Sequence, residues 1–190
     1  MKLVLATNNR HKIREIREIL GSRFEEILSL SEAGITHDTV EDGHTFAENA
    51  EKKAREIAQL SGMPALADDS GLSVDALGGA PGIFSARFAG VHGDDEKNND
   101  LLLEKLRGET NRAAHYTCAV CLYRPDGGKT EAEGYLSGTI AAERHGTGGF
   151  GYDPIFYPAG ETRTLAEMSE DEKNAISHRK KALVRLLTKL

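Results

Sequence analysis

The chain has 190 residues, 39% hydrophobic and 28% charged, with no tryptophan and a formal net charge of −6. That is an ordinary globular composition, long enough to bury a core as one domain or two closely knit lobes. The acidic balance argues against a general nucleic-acid binder, though not against a small polyanion held by a few lysines and a cation. No apolar run reaches the length of a membrane span and the first residues do not open a signal peptide, so the expectation is a cytoplasmic protein with no membrane partner.

In chain order, residues 2–6 read as a short apolar strand. Residues 11–20 place Ile13, Ile16, Ile19 and Leu20 at helical spacing, and Gly21 stops that helix. Residues 26–30 form a second short strand. Thr45 and Glu48 have the capping-box spacing, and the helix they open carries Ala47, Ala50, Ala54, Ile57 and Ala58 on one face until Gly62 and Pro64 end it. Short strands follow at 65–67 and 72–74, then a glycine-rich loop at 78–82 and a polar-capped helix at 95–106. A long strand then spans 113–123, with a hairpin turn at 125–128 and one or two strands over 129–142. A second glycine-rich loop at 146–154 leads to a short strand at 155–157. Ser177 can cap a last helix with Ala182, Leu183, Leu186, Leu187 and Leu190 on its stripe. The expected fold is mixed α/β, a single domain over residues 1–190, with a long central β-sheet and helices forming two lobes around a substrate cleft.

Five segments carry candidate chemistry. In A-D-D-S-G-L, Asp68 and Asp69 sit at a strand end, where adjacent side chains face opposite sides and cannot share one task. Such carboxylates suit a Mg²⁺-dependent phosphate enzyme, while D-D-S-G is also ordinary turn chemistry. T-N-N-R-H-K joins the first strand to the first helix; it is either a polyphosphate cradle, with helix-start N–H groups, Thr7, Asn9 and Lys12, or a capped helix with a solvated lysine. Glu41 precedes a helix on which Asn49 and Lys53 lie one turn apart, a set for metal and phosphate or a solvated face. In G-G-F-G-Y-D-P, Phe150 could stack on a base and Asp153 accept from a ring N–H; a structural turn is the alternative. K-N-A-I-S-H-R places Ser177, His178 and Arg179 at a helix start, as a ligand site or as a cap with exposed charges.

Other patterns fail on context. Residues 146–151 match G-x-G-x-x-G, but Pro154 and a strand follow where a dinucleotide site needs a helix. Gly128-Lys129-Thr130 lacks the glycine five residues earlier that a Walker loop needs; Tyr123 stands there. Cys118 and Cys121 lie on one strand, three apart, so they face opposite sides and read as core.

Together these motifs, with G-G-A-P-G-I-F-S-A-R-F, resemble those of the inosine triphosphate pyrophosphatase family, whose members clear non-standard purine nucleoside triphosphates. The resemblance runs over essentially the whole chain. It implies Mg²⁺-dependent hydrolysis of ITP, dITP and XTP to nucleoside monophosphate and pyrophosphate, by a homodimer. It further implies that Thr7, Asn8, Asn9, Arg10, His11, Lys12 and Lys53 hold the phosphates. Glu41 and Asp69 would serve the metal, with Asp69 the base toward water, Asp68 in support and Ser70 touching the nucleotide. Phe150, Gly151, Tyr152, Asp153, Lys173, His178 and Arg179 would form the base end, with Arg179 donating beside Asp153 to read a 6-carbonyl and N1–H edge. Three rivals stand beside this reading: a nucleotide sensor that does not hydrolyse, a pyrophosphatase for modified pyrimidines, and a scaffold.

Overall fold

The structure, a computed structural model, describes residues 2–190. Its first two helices form where an apolar stripe coincides with terminal punctuation. Helix α1 (Arg10–Leu20) buries Ile16 and Leu20, and starts at Asn9, whose side chain accepts the N–H groups of His11 and Lys12. Helix α2 (Phe46–Ser61) buries Ala50, Ala54, Ile57 and Ala58. Thr45 Oγ1 accepts the Glu48 N–H at 3.1 Å, while the Glu48 carboxylate reaches one residue further back, to the His44 N–H at 2.7 Å. Gly62 closes α2 at φ 65°, ψ 13°, a left-handed conformation that favours glycine. Helices α3 (Asp95–Lys105), α4 (Glu170–Ile176) and α5 (His178–Leu187) complete the set.

The strands β1 (Lys2–Leu5), β2 (Glu26–Leu28), β3 (Ala65–Val74), β4 (Ala113–Tyr123), β5 (Lys129–Ile140) and β6 (Phe156–Pro158) make one six-stranded sheet in the order β2-β1-β3-β4-β5-β6. β2 and β3 both run parallel to β1, because α1 and α2 supply the crossovers that parallel pairing needs, and β6 is antiparallel to β5. The mixed α/β class with a long central sheet is therefore as expected.

The chain divides into two compact units. One comprises the chain up to Asp69, Cys118–Gly134 and Arg179–Leu190; the other comprises Ser70–Thr117 and Tyr135–His178. In the first unit, the period of two along the strands sorts the core onto two faces. Leu3, Leu5, Leu66, Cys118, Val120 and Leu122 pack with Ile16, Leu20, Ala182, Leu183 and Leu186 of α1 and α5. The residues of opposite parity, Val4, Ala65, Ala67, Ala119 and Cys121, pack with Ala50, Ala54, Ile57 and Ala58 of α2. The two cysteines thus fall on opposite faces, both free and buried. The second unit has its own core, built on Leu72, Val74, Tyr116, Leu136, Ile140 and Phe156.

Two expectations are corrected. The strands anticipated at 65–67 and 72–74 are one ten-residue strand, so Asp68 to Gly71 is not a turn. Turn-forming residues stay extended here because both aspartates are buried where that geometry brings them onto cations, Asp68 Oδ2 onto Lys12 and Arg179, and Asp69 onto Lys53 with the Asn49 amide. Helix α4 was not anticipated either. None of its residues is buried, so it has no apolar stripe to read; a capping box of Ser169 with Glu172 starts it. Among the described residues no helix is long and apolar enough to cross a membrane.

Candidate active site

Alternation along β3 hands the two aspartates to different helices. Asp68 has the parity of Leu66 and faces α1 and α5. Its Oδ2 takes Lys12 Nζ at 3.0 Å and Arg179 Nε at 3.1 Å. Nη1 of Arg179 also binds the Glu15 carboxylate, and all three of Asp68, Arg179 and Glu15 are buried. Asp69 has the parity of Ala67 and faces α2. Asn49 Nδ2 donates to its Oδ2 at 3.1 Å, and Lys53 Nζ lies 3.4 Å from its Oδ1. Asn49 and Lys53 meet Asp69 together because residues four apart share a helix face.

The segment before α2 is fastened to the same face. Lys53 Nζ lies 2.7 Å from Glu41 Oε1, Lys52 Nζ 2.6 Å from Asp42 Oδ1, and the Gly43 N–H donates to Asn49 Oδ1 at 2.9 Å. A Cβ at Gly43 would stand 2.7 Å from Asn49 Oδ1 and 2.9 Å from Glu48 Cβ, so only glycine allows this approach.

The electrostatics of the pair diverge. Burial pushes the Asp68 carboxyl up, but Lys12, then Arg179 and Lys53, outweigh it and hold the group well below the usual carboxylate range. Burial also pushes Asp69 up, and there Lys53 and Lys12 fail to cancel it, partly because Glu41 adds a like charge; its carboxyl is raised. Burial works to lower Lys53, and Asp69 and Glu41 overcome it, so the ammonium is held charged.

In the second unit a glycine-rich turn wraps one carboxylate. Asp153 Oδ2 accepts the Phe150 N–H at 2.9 Å and pairs with Lys173, whose Nζ also lies 4.4 Å from the centroid of the Phe150 ring. Gly149, at φ 74°, would put a Cβ 2.1 Å from Asp153 Oδ2. Gly151 is tied on both sides, its N–H to Asp95 Oδ2 at 2.7 Å and its carbonyl to Asn99 Nδ2 at 2.8 Å. Tyr152 is buried and donates its hydroxyl to the Ser85 carbonyl at 2.7 Å. His178 stacks on Tyr116, centroids 4.8 Å apart and planes within 9°.

A profile described as the Ham1 family matches residues 3–189. This chain belongs to the Ham1 family. The HAM1 protein of Coxiella burnetii is 41% identical and superposes with a TM-score of 0.91, each chain covered to 100%. The Ham1 protein of Staphylococcus aureus is 40% identical with a TM-score of 0.90, over 99% of this chain and 97% of that one. A relative from Streptomyces avermitilis named dITP/XTP pyrophosphatase is 52% identical, over 98% of this chain and 95% of its own length. One of the same name from Clostridium perfringens is 50% identical, over 97% and 95%.

Within this Ham1 fold the expected residues separate into groups. In the first unit they form two sets, Lys12 with Asp68 on one face of β3 and Lys53 with Glu41 and Asp69 on the other. The T-N-N-R-H-K block does not act as one body. Asn9 Oδ1 is spent on the helix cap, its N–H on Thr7 Oγ1 at 3.2 Å, and Asn8, Arg10 and His11 are exposed. Arg10 and Lys12 are two residues apart on α1, about 200° around the axis, and so point to opposite sides. Ser70, half-buried, opens the second unit, which also holds Phe150, Asp153, Lys173 and His178.

Tyr152 belongs to the second unit's core. Arg179 is grouped with the first unit, its guanidinium on Asp68 and Glu15. Two contributors had drawn less notice in the sequence. Asn49 was visible as a companion of Lys53, but its bond to Asp69 needs β3 to be continuous. Glu15 sits in the run R-E-I-R-E, where it reads as one more surface charge; only the position of Ile16 beside it hints at a buried side.

Proposed function

We propose that this Ham1 protein is a nucleoside triphosphate pyrophosphatase that converts dITP, ITP and XTP to the nucleoside monophosphate and pyrophosphate. Relatives at about half identity over nearly the whole chain bear the name dITP/XTP pyrophosphatase. The observation that carries the reading is the division of Asp68 and Asp69. One carboxylate is held by Lys12 and Arg179 on one side of β3; the other faces α2 on the opposite side, beside Asn49, Lys53 and Glu41. That second group, a carboxylate with a lysine and a neighbouring carboxylate, has the composition a hydrolytic phosphate site needs and a pure binding module does not.

Glu41 and Asp69 are the residues that would hold Mg²⁺. Both place a carboxylate oxygen within 3.4 Å of one ammonium, so their oxygens converge on a spot that a cation could share. Oxygen donors suit a hard cation. A hard cation held by two protein carboxylates would complete its shell with substrate phosphates and water. Bound there, Mg²⁺ would neutralise phosphate charge.

The protein's own groups do the rest. Lys53 and Lys12 offset the charge that repels water from a polyphosphate. Asp69 orients a water molecule and takes its proton as the water oxygen adds to phosphorus. The phosphoanhydride P–O bond between α and β then breaks, and pyrophosphate leaves. In the second unit, Phe150 offers a ring for stacking, Asp153 an acceptor for N1–H and Lys173 a donor for the 6-carbonyl.

The test is to incubate the protein with Mg²⁺ and a panel of purine and pyrimidine triphosphates, then separate products by chromatography. Monophosphate plus pyrophosphate from dITP and XTP is the expected result. Diphosphate plus phosphate, a pyrimidine preference, or binding without turnover would overturn it.

A further inference from the structure

The face of α1 turned away from Lys12 lines a cavity of about 600 Å³ that the hydrolytic reading does not use. Arg10, Arg14 and Arg17, spaced four and three apart, fall on one stripe of the helix and all border it. Ser29 and Ser31, which follow β2, border it opposite, with their hydroxyl oxygens 3.1 Å apart. Every lining residue belongs to the first unit.

Arg17 is anchored: its Nη2 donates to the Ile27 carbonyl at 2.8 Å and pairs with Glu32. Glu32 is also bound by the Ser29 N–H at 2.7 Å and the Ser29 hydroxyl at 2.8 Å. Glu18 is the one carboxylate in the lining itself. Arg10 is exposed and enters no ion pair among the described residues. The lining itself carries three guanidinium groups and one carboxylate, a local cationic excess in a protein whose net charge is −6.

We propose that this cavity is a second anion site, separate from the triphosphate site at Lys12 and Lys53, and that it takes a ligand bearing a phosphate or diphosphate group. Guanidinium forks match phosphate oxygens with paired N–H bonds, and serine hydroxyls add neutral donors. The volume suits a diphosphate with or without a nucleoside attached. Such chemistry has two sources, inorganic pyrophosphate and a nucleoside diphosphate. Adenosine diphosphate is the useful probe of the second, since the lactam-reading base end proposed above has no match for adenine.

The experiment is calorimetric titration of the full chain, without Mg²⁺, with inorganic pyrophosphate and separately with adenosine diphosphate. Four proteins are compared: the parent, Arg10→Gln/Arg14→Gln, Arg10→Lys/Arg14→Lys, and Lys53→Ala. The expected result is a pyrophosphate isotherm weakened about tenfold or more by the double glutamine variant, in keeping with two lost charge-assisted contacts. It is partly restored by the double lysine variant and kept in Lys53→Ala. Adenosine diphosphate binding with the same arginine dependence assigns a nucleotide ligand; pyrophosphate binding alone assigns an inorganic one. Pyrophosphate binding that ignores the arginines, vanishes in Lys53→Ala, or is absent altogether overturns the proposal. Binding is the readout, so the answer does not depend on whether the chain turns over dITP.

Discussion

The two units solve one problem, holding a buried carboxylate, in different ways. In the first, regular secondary structure does it: β3 presents Asp68 and Asp69 to opposite faces, and cations and an amide arrive on helices α1, α2 and α5. In the second, a glycine-rich turn folds onto Asp153 with one backbone N–H and one lysine. The first arrangement is stiff, and it fixes protonation states through several charges at once. The second leaves an aromatic ring under the lysine and uses glycines at positive φ, one of them against the Asp153 carboxylate. Within the first unit the same contrast recurs in miniature: Asp68 Oδ2 is held by the cations Lys12 and Arg179, while Asp69 meets one amide and one lysine from α2.

That contrast is broken most forcefully at Asp68. Asp68→Ala strands Arg179 and Lys12, two buried or half-buried cations, without their shared acceptor. The expected loss is about 3–5 kcal/mol of unfolding free energy, the range for breaking a buried pair by removing one partner. Urea unfolding followed by circular dichroism reads it. A stability within about 1 kcal/mol of the parent would show that Asp68 is not a brace.

Asp69→Asn should do the reverse. It keeps shape and removes the proton acceptor, so kcat with dITP falls roughly 10²-fold or more while the urea midpoint stays near the parent's. Steady-state kinetics and the same unfolding curve, measured together, decide the matter. If Asp69→Asn unfolds easily and Asp68→Ala merely slows turnover, the two roles have been assigned the wrong way round.

Gly149→Ala probes the second unit's device. The new methyl would meet Asp153 Oδ2 at 2.1 Å, and the backbone sits at φ 74°. The turn has to shift, at a cost of order 1–2 kcal/mol from the left-handed backbone alone. The expected signature is a raised KM for dITP and a smaller preference over dATP, with kcat little changed, because the first unit's groups are untouched. A fall in kcat at constant KM would mean that the turn serves the chemistry itself.

Much of this was legible in the sequence, and the reasons differ by feature. Helices α1 and α2 announced themselves through stripe and cap. The opposite facing of Asp68 and Asp69, and of Cys118 and Cys121, followed from strand geometry alone. The continuity of β3 did not, because D-D-S-G is turn-forming by local preference and extended only when Lys12, Lys53, Asn49 and Arg179 arrive from elsewhere in the chain. The contact of Arg179 with Asp68 was hidden for the same reason. The motif that carries Arg179 names a residue, whereas the partner of its guanidinium is set by a carboxylate 111 residues away. Glu15 was hidden by its neighbours' charges.

The smallest expected effect tests whether the two units share anything. Each holds one exposed carboxylate at about 2: Glu32 in the first and Glu172 in the second. For Glu32 the leading causes are the Ser29 N–H and hydroxyl, with Arg17 after them; for Glu172 the Arg163 guanidinium leads, followed by the Ser169 N–H and hydroxyl. Both folded values lie below the ordinary 4.5, so each contributes stability that is present above that value and is lost as pH falls toward about 2. Glu32→Gln and Glu172→Gln should therefore lower Tm slightly at pH 7 and converge on the parent near pH 2. Salt separates the two cases. An exposed ion pair is screened, while bonds from a backbone N–H and a hydroxyl are not, so 1 M NaCl should raise the NMR-measured pKa of Glu172 more than that of Glu32. Equal shifts would mean that the same kind of contact dominates at both sites, and that the difference between the units is confined to their buried carboxylates.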